Sequence, residues 1–237
     1  MSTDQRAARR EGGAPRRAVI VFSGGLDSTT LVYDLHAAGS ELVLITFDYG
    51  QRHHKEADFA QRTADKLQLP LHRVDLRSVI SLLAGSALTD GSIDVPDGHY
   101  TDASMKITVV PNRNALMLDV AVAAAVSGKC DAVAFGAHSG DHAIYPDCRP
   151  QFVEAFTVSA RTANQGFIDE GFTVLAPYLG WTKAEIVHRG VELAIPYEDT
   201  WSCYRGGQLH CGRCGTCVER REAFTRAGVA DPTAYEG

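Results

Sequence analysis

The sequence contains no apolar run long enough to cross a membrane. No stretch approaches the roughly 18 consecutive apolar residues that a bilayer-spanning helix needs. The first seventeen residues also lack the apolar core of a secretory signal, and they carry the acidic residues Asp4 and Glu11. We therefore expect residues 1–17 to be a disordered lead, and the protein to be cytoplasmic and independent of membranes.

The chain also lacks an excess of basic residues. It has 23 Lys and Arg against 29 Asp and Glu in 237 residues, a formal net charge of −6. A protein that grips a nucleic acid needs clustered Lys and Arg to neutralise phosphates, so we expect no direct contact with nucleic acid. Hydrophobic residues make up 45% of the chain and charged residues 22%, which is typical of a globular protein.

The order of apolar patterns predicts a Rossmann-like α/β fold with a parallel sheet. Strand patterns lie at 18–22, 42–47, 71–76, 132–136 and 173–175, and helical patterns at 28–38, 54–67, 114–126, 150–164 and 182–190. Strands that alternate with helices form a parallel sheet with right-handed crossovers. We expect a nucleotide-binding α/β domain over residues 18–180 and a C-terminal helical, metal-binding segment over residues 181–237.

Two local patterns refine this expectation. Thr182 followed by Glu185 fits a capping box, which begins a helix at that point. Residues 89–110 are rich in Asp, Gly and Pro and break any period. A long loop in a compact domain is usually functional or mobile, so we expect this segment to be a lid.

The sharpest motif is Ser23-Gly24-Gly25-Leu26-Asp27-Ser28, between the first strand and the first helix. Glycines let a backbone turn tightly, and a helix N-terminus offers unpaired N–H donors to an anion. The motif is neither the GxxxxGK[ST] loop nor GxGxxG. It resembles the S-G-G-x-D-S loop of the PP-loop ATP pyrophosphatases, which cleave ATP between the α- and β-phosphates. The alternative is a plain strand–helix turn that Ser23 or Asp27 caps.

A lysine follows much later in the chain. Lys183 lies in the first turn of the expected 182–190 helix. PP-loop enzymes often carry such a late lysine, which neutralises the leaving pyrophosphate. The alternative for Lys183 is a solvated surface side chain.

Four of the six cysteines cluster near the C-terminus, which indicates a metal site. They are Cys203, Cys211, Cys214 and Cys217. Four thiolates suit a tetrahedral structural zinc site, and an iron–sulfur cluster is the alternative. We expect zinc, because nothing else in the chain suggests redox chemistry. His210 is expected to be a bystander and Cys130 to pack at a helix end.

Several motifs together resemble those of the 7-cyano-7-deazaguanine synthase (QueC) family from residue 18 onward. They are FSGGLDSTT (22–30), FDYGQRH (47–53), VVPNRN (109–114), YPDCRPQFVEAF (145–156), TKAEIV (182–187) and TWSCY with the cysteine cluster (200–217). The chain reads His138-Ser139-Gly140-Asp141-His142 where many members read Ser-Gly before YPDCR. This difference from the family pattern affects the expected details of the substrate pocket and not the class of reaction.

The resemblance implies an enzyme that converts 7-carboxy-7-deazaguanine, ammonia and ATP into the 7-cyano base, for queuosine or other 7-deazapurines. An adenylated acid and an amide would be the intermediates, with magnesium beside ATP. One structural zinc on the four cysteines and a possible homodimer are also implied. The length leaves no room for a glutaminase domain, so free ammonia is the expected nitrogen donor.

The same resemblance assigns roles to residues. Ser23, Asp27 and Lys183 would be catalytic. The nucleotide segment would run from Phe22 to Val32: Phe22, Ser23, Gly24, Gly25, Leu26, Asp27, Ser28, Thr29, Thr30, Leu31 and Val32.

Four residues are candidates for contacts with the substrate. We expect Asp147 or Asp141 to accept from the N–H edge of the guanine-like ring. Arg149 or Arg113 would clamp the carboxylate or a phosphate. The alternatives are a helix cap for Asp147 and a surface ion pair for Arg149.

Two other functions compete with this one. A PP-loop enzyme that modifies tRNA itself would carry a basic extension or a catalytic cysteine pair, and the net charge of −6 argues against it. A zinc-stabilised nucleotide sensor would need no turnover, and the intact loop together with Lys183 argues against that.

Overall fold

The structure is a computed structural model. It describes residues 13–51, 55–80, 82, 86–89, 92–98, 107–142 and 145–236. Residues 1–12 of the expected lead lie outside this part of the chain. So do residues 90–91 and 99–106 of the expected lid.

Strands and helices alternate along the chain. The strands are β1 (Arg17–Val21), β2 (Glu41–Asp48), β3 (Leu71–Asp75), β4 (Ala132–Ala134) and β5 (Thr173–Leu175). The α-helices of the described residues are α1 (Leu26–Ala37), α2 (Lys55–Leu67), α3 (Arg77–Ile80), α4 (Arg113–Ser127), α5 (Pro150–Ala163), α6 (Lys183–Glu192) and α7 (Gly215–Ala227).

The five strands form one parallel sheet in the order β3-β2-β1-β4-β5. Side chains of β1 alternate between the two faces, since Ala18 and Ile20 pack in one core cluster and Val19 packs in the other. Helices cover both faces: α4 and α5 contribute to the cluster around Val19, and α1, α2, α6 and α7 to the cluster around Ile20. This arrangement confirms the predicted Rossmann-like α/β fold.

Most boundaries differ from the prediction by one residue, and three differ by two: the start of α1, the end of β4 and the end of α6. Helix α1 begins at Leu26, two residues before the expected Ser28, because the Thr29 amide already donates to the Gly25 carbonyl at 3.0 Å. Strand β4 ends at Ala134 and not at 136. The Phe135 amide still donates to the Leu175 carbonyl, and the chain then turns away from the sheet.

The C-terminal segment shares its core with the sheet. Ile186 of α6 and Phe224 of α7 are buried in the same cluster as Leu31 of α1 and Ile20 of β1. The predicted division near residue 180 therefore crosses a continuous apolar core. No helix in the described part of the chain has both the length and the apolar character needed to cross a membrane.

The sheet order fixes where a ligand can bind. Beyond β1 the chain proceeds to β2 on one side, and it returns to β4 on the other side. Ligands of open parallel sheets bind where the strand order reverses, beyond the carboxyl ends of the strands. The Ser23–Ser28 loop follows β1 and residues 136–141 follow β4, so both reach this crevice.

Candidate active site

A cavity of about 250 Å³ opens at the carboxyl ends of the central strands. Its floor includes Val21 at the end of β1, Phe47 of β2, and Phe135 just beyond β4. The Ser23–Ser28 loop, the start of α4 and the start of α6 border it. Residues far apart in sequence are therefore brought to one site.

The Ser23–Ser28 loop is arranged as a receptor for an anion. The two serine hydroxyl oxygens lie 3.0 Å apart, and the Gly25 amide donates to the Ser23 hydroxyl at 3.1 Å. No side chain caps α1, so its N-terminal amides stay available among the described residues. Neither Ser23 nor Asp27 acts as the helix cap that the alternative interpretation required.

Gly24 is needed where the loop meets α2. Its φ is +83°, in the left-handed region that favours glycine, and a Cβ there would lie 2.5 Å from the Glu56 carbonyl oxygen. The Gly24 carbonyl in turn accepts from the Trp201 amide at 3.0 Å. The turn is therefore held on both sides by backbone.

The predicted nucleotide segment Phe22–Val32 divides into two parts. Residues that border the cavity are Phe22, Ser23, Gly25, Leu26, Asp27 and Ser28. Gly24 packs against α2 instead, and Leu31 and Val32 are buried in the core. Thr30 is also buried and its hydroxyl pairs with the Tyr197 hydroxyl. Thr29 is buried as well, and its hydroxyl has no hydrogen-bond partner in the described part of the chain.

Lys183 lies inside the cavity and not on the surface. Its Nζ is 3.4 Å from Asp27 Oδ2 and 3.2 Å from Glu219 Oε2. Burial lowers the pKa of Lys183, but Asp27 and Glu219 raise it by more, so its pKa stays above the ordinary value. The capping box of Thr182 and Glu185 is confirmed, and it starts α6 with this lysine at the first position.

His138 and Asp141 lie beside Asp27. His138 Nε2 is 4.0 Å from Asp27 Oδ2 and 3.7 Å from Asp141 Oδ2. His138 Nδ1 accepts from the Gly140 amide, which leaves Nε2 facing the two carboxylates. Burial raises the pKa of Asp141. Asp27 Oδ1 is buried and has no hydrogen-bond partner among the described residues.

Arg113 and three tyrosines form another wall of the cavity. The Arg113 guanidinium donates to the Tyr49 hydroxyl at 3.3 Å and lies over the Tyr49 ring, 5.6 Å from its centroid. Tyr145 and Tyr204 also border the cavity. This wall is aromatic and cationic, whereas the Lys183 side carries carboxylates.

The other two substrate candidates lie elsewhere. Asp147 Oδ2 accepts from the Asn114 amide at 3.1 Å, so it pairs with the first turn of α4. Arg149 is exposed, and its Nε donates to the His142 carbonyl at 2.8 Å. Both side chains have these local partners, whereas Arg113 and Asp141 border the cavity.

The four cysteines of the C-terminal cluster converge as a metal site requires. Their sulfur atoms are buried and lie within 4.8 Å of one another. Zinc–sulfur bonds of about 2.3 Å in a tetrahedron would set the sulfurs roughly 3.8 Å apart. The Cys211 amide donates to the Cys203 sulfur, and the Cys214 amide to the Cys211 sulfur. These N–H groups favour thiolates, so the donor set fits a metal ion.

The cysteine cluster is joined to the cavity. Cys214 is the N-cap of α7, and Thr216 and Glu219 of that helix border the cavity. Trp201, Ser202 and Tyr204, on either side of Cys203, border it as well. A metal on the cysteines would therefore anchor part of the cavity wall.

His210 supports this wall and lies beside the sulfur atoms. Its Nε2 accepts from the Ser202 amide at 3.1 Å, and its ring packs on Trp201 with centroids 4.3 Å apart. Cys130 is buried just beyond α4, as expected.

The sequence prediction missed four residues of the cavity wall, which are Glu219, Tyr49, Tyr145 and Tyr204. Tyr49, Tyr145 and Tyr204 lay within the family motifs, which was the only signal for them.

Comparison with known proteins agrees with this geometry. A family model described as queuosine biosynthesis protein QueC matches residues 17–228. Proteins named 7-cyano-7-deazaguanine synthase from Brucella ovis and Brucella suis are each 54% identical over 220 residues, 93% of this chain and 94% of theirs. NMN synthetase from Francisella tularensis is 11% identical with a TM-score of 0.52, covering 95% of this chain and 82% of that one. At that identity the last likeness concerns the fold alone.

Proposed function

The chain belongs to the QueC family of 7-cyano-7-deazaguanine synthases, and we propose that it converts 7-carboxy-7-deazaguanine, ammonia and ATP into the 7-cyano base of queuosine biosynthesis. One observation carries the proposal. The Ser23–Ser28 loop shares a single cavity with Lys183, which keeps its positive charge. An anion-binding turn and a partly buried cation together suit the departure of pyrophosphate.

The first step activates the acid. A carboxylate oxygen of the substrate attacks the α-phosphorus of ATP, and the bond from that phosphorus to the bridging oxygen breaks. Pyrophosphate leaves with the electrons of that bond. Backbone amides at the start of α1 and the ammonium group of Lys183 stabilise its charge. The Ser23 hydroxyl adds another hydrogen bond to the phosphates.

The second step forms the amide. Ammonia attacks the carbonyl carbon of the adenylate, AMP leaves with the electrons of the carbon–oxygen bond, and the nitrogen loses a proton. Oxide itself is too poor a leaving group for this exchange, which is why the acid must first be adenylated. The cavity holds both partners in place, and such positioning lowers the barrier.

The third step removes the amide oxygen. That oxygen attacks the α-phosphorus of a second ATP, and pyrophosphate leaves again. The bond from carbon to the oxygen of AMP then breaks while the nitrogen gives up its two protons, and a carbon–nitrogen triple bond remains. One loop serves both activations. Each activation cleaves one ATP, so the proposed sequence consumes two ATP per turnover.

Magnesium is the ion that we propose for the cavity. Its chemistry when bound is to neutralise phosphate oxygens. Asp27 would hold it, because Asp27 Oδ1 is a buried oxygen with no partner in the described part of the chain. The rest of the nucleotide segment would support the loop indirectly, by fixing α1 in the core. These residues are Thr29, Thr30, Leu31 and Val32.

Zinc is the metal that we propose for the four cysteines. A closed site of four sulfurs gives zinc a structural role and leaves no open position for a substrate. Cys203, Cys211, Cys214 and Cys217 would hold it. The proposed partners are otherwise small molecules. We propose the cytoplasm as the location, where thiols stay reduced, and a homodimer as the assembly.

An assay with defined substrates tests the proposed function. We expect zinc-loaded protein with the carboxy base, ATP, magnesium and ammonia to produce first the amide and then the nitrile, both detected by mass spectrometry. Reactions without ATP or without ammonia serve as controls. If folded, zinc-loaded protein forms neither product, the proposal is wrong. Tight, salt-dependent binding of tRNA in a filter assay would favour a tRNA-modifying enzyme instead.

A further inference from the structure

We propose that Arg113, with Tyr49, Tyr145 and Tyr204 around it, binds the carboxylate of the heterocyclic substrate and so distinguishes the acid from the amide formed later. This inference rests on the proposed function, because it concerns the same cavity. It assigns the starting substrate's charged group to the aromatic wall, away from Lys183.

Arg113 makes no direct ion pair with a carboxylate of the described residues. A guanidinium has several N–H donors, and that of Arg113 donates to the Tyr49 hydroxyl at 3.3 Å. No carboxylate of the described residues lies within 4 Å of the guanidinium. The negative charge of Asp147 acts on Arg113 from a distance, and the Asp147 Oδ2 atom accepts from the Asn114 backbone amide instead of from the guanidinium.

Tyr49 and Tyr145 do not supply a negative charge to Arg113. Burial raises the pKa of Tyr49, and burial raises that of Tyr145 as well. Both phenols therefore remain neutral at physiological pH. A cation that faces a cavity among neutral hydroxyls is suited to an anionic ligand. The planar fork of a guanidinium matches a carboxylate with two parallel hydrogen bonds.

The surroundings favour the substrate's carboxylate over a phosphate of ATP. The phosphates of ATP already have proposed binding partners, which are the Ser23–Ser28 loop and Lys183. The Arg113 wall has three aromatic rings, which suit a flat heterocycle better than a pyrophosphate. Tyr145 lies between the two regions, since the charges of Arg113, Asp141 and Glu219 all act on its phenol.

The consequence is a difference between the two activations. The acid enters as an anion and gains a charge-assisted contact with Arg113. The amide has no charge. In the proposed third step its carbonyl oxygen is directed at the α-phosphorus, so its NH₂ group faces Arg113 and offers only donors where Arg113 also donates. Arg113 therefore contributes to binding of the acid and little to binding of the amide.

Kinetics with the two substrates separate these contributions. Replacing Arg113→Met should raise KM for the acid roughly 10- to 100-fold, the range expected for loss of charge-assisted hydrogen bonds. With the amide supplied directly, KM should change by less than about threefold. Arg113→Lys, which keeps the charge, should recover part of the loss with the acid. Arg226→Met, which removes an exposed arginine of α7 paired with Glu222, is the matched control and should behave as wild type.

Three outcomes would overturn the inference. They are equal losses for acid and amide, a rise in KM for ATP in place of the acid, or an unchanged KM for the acid. If the methionine variant does not fold, calorimetry on the wild-type protein without ATP replaces it. The acid should then bind at least about tenfold more tightly than the amide, and equal affinity would count against the inference. If the wild type makes no nitrile at all, the proposed function itself fails.

Discussion

Asp27 has two roles to reconcile, because it pairs with Lys183 and also keeps one oxygen without a partner among the described residues. A residue that only capped α1 would use its side chain on the helix amides, and Asp27 does not. Its carboxylate instead faces the groups expected to handle phosphates. Asp27 is therefore better explained by chemistry than by the stability of the helix.

Replacing Asp27→Ala tests this interpretation. We expect turnover to be lost while the free energy of unfolding changes by about 1 kcal/mol or less, because partly exposed ion pairs contribute little. Lys183 also keeps Glu219 as a partner, 3.2 Å away. Nitrile formation and a urea titration provide the two measurements. Retained turnover with a large loss of stability would instead identify Asp27 as a structural cap.

The residues of the site differ in how well the sequence predicted them. The Ser23–Ser28 loop and the four cysteines are contiguous motifs, so their chemistry is readable before folding. Glu219 reaches Lys183 only because α6 and α7 pack side by side. No local pattern encodes that contact. Asp147 and Arg149 were proposed from the YPDCR string, and their contacts depend on how the chain bends after β4.

At the scale of elements, periodicity predicted each strand and five helices, with errors of one or two residues at the ends. Helices α3 and α7 were not predicted by range, although α7 lies in the segment that was expected to be helical. Buried parallel strands are short and apolar, so their pattern is strong. Two of the larger errors, at the start of α1 and the end of β4, occur where the chain leaves regular structure for the cavity. Local sequence does not show such departures, because contacts with distant segments decide them.

Helix α6 contains Gly190, and the side chain of Tyr197 packs too closely against it to leave room for a larger residue. A Cβ at Gly190 would overlap the Tyr197 hydroxyl and the ring carbon that carries it. Tyr197 cannot move easily, since its hydroxyl hydrogen-bonds to Thr30 and to the Ile186 carbonyl. We expect Gly190→Ala to reduce the free energy of unfolding by about 1–3 kcal/mol, as overpacking does.

A matched glycine controls for the change in backbone entropy. A Cβ at Gly171 would meet nothing within 4 Å, and Gly171 has no left-handed φ, so Gly171→Ala should leave stability within about 0.5 kcal/mol of wild type. Chemical denaturation of both variants gives the comparison. Equal stability of the two alanine variants would contradict the tight packing between α6 and Tyr197.

At the scale of the whole molecule, the cysteine cluster joins distant parts of the chain. The Gly98 amide donates to the Arg213 carbonyl at 2.7 Å, and Arg205 pairs with Asp97 at 2.7 Å. The described part of the expected lid therefore rests on the loop that carries the cysteines. The cluster and the cavity wall form one continuous structure.

Replacing Cys214→Ser should lower the zinc content and destabilise the protein, because structural zinc sites contribute directly to folding. Elemental analysis and thermal unfolding measure the two effects. Cys130→Ser is the matched control, since Cys130 is a buried cysteine outside the cluster, and it should keep full zinc. If the wild-type protein instead contained iron and showed a visible absorption band, the site would be assigned to an iron–sulfur cluster and not to zinc.

The hydrogen bond from the Trp201 amide to the Gly24 carbonyl joins a late segment of the chain to an early one. While the ribosome is still making this protein, the nucleotide turn emerges long before the tryptophan that braces it. A half-made chain thus carries the ATP motif without the support that shapes it.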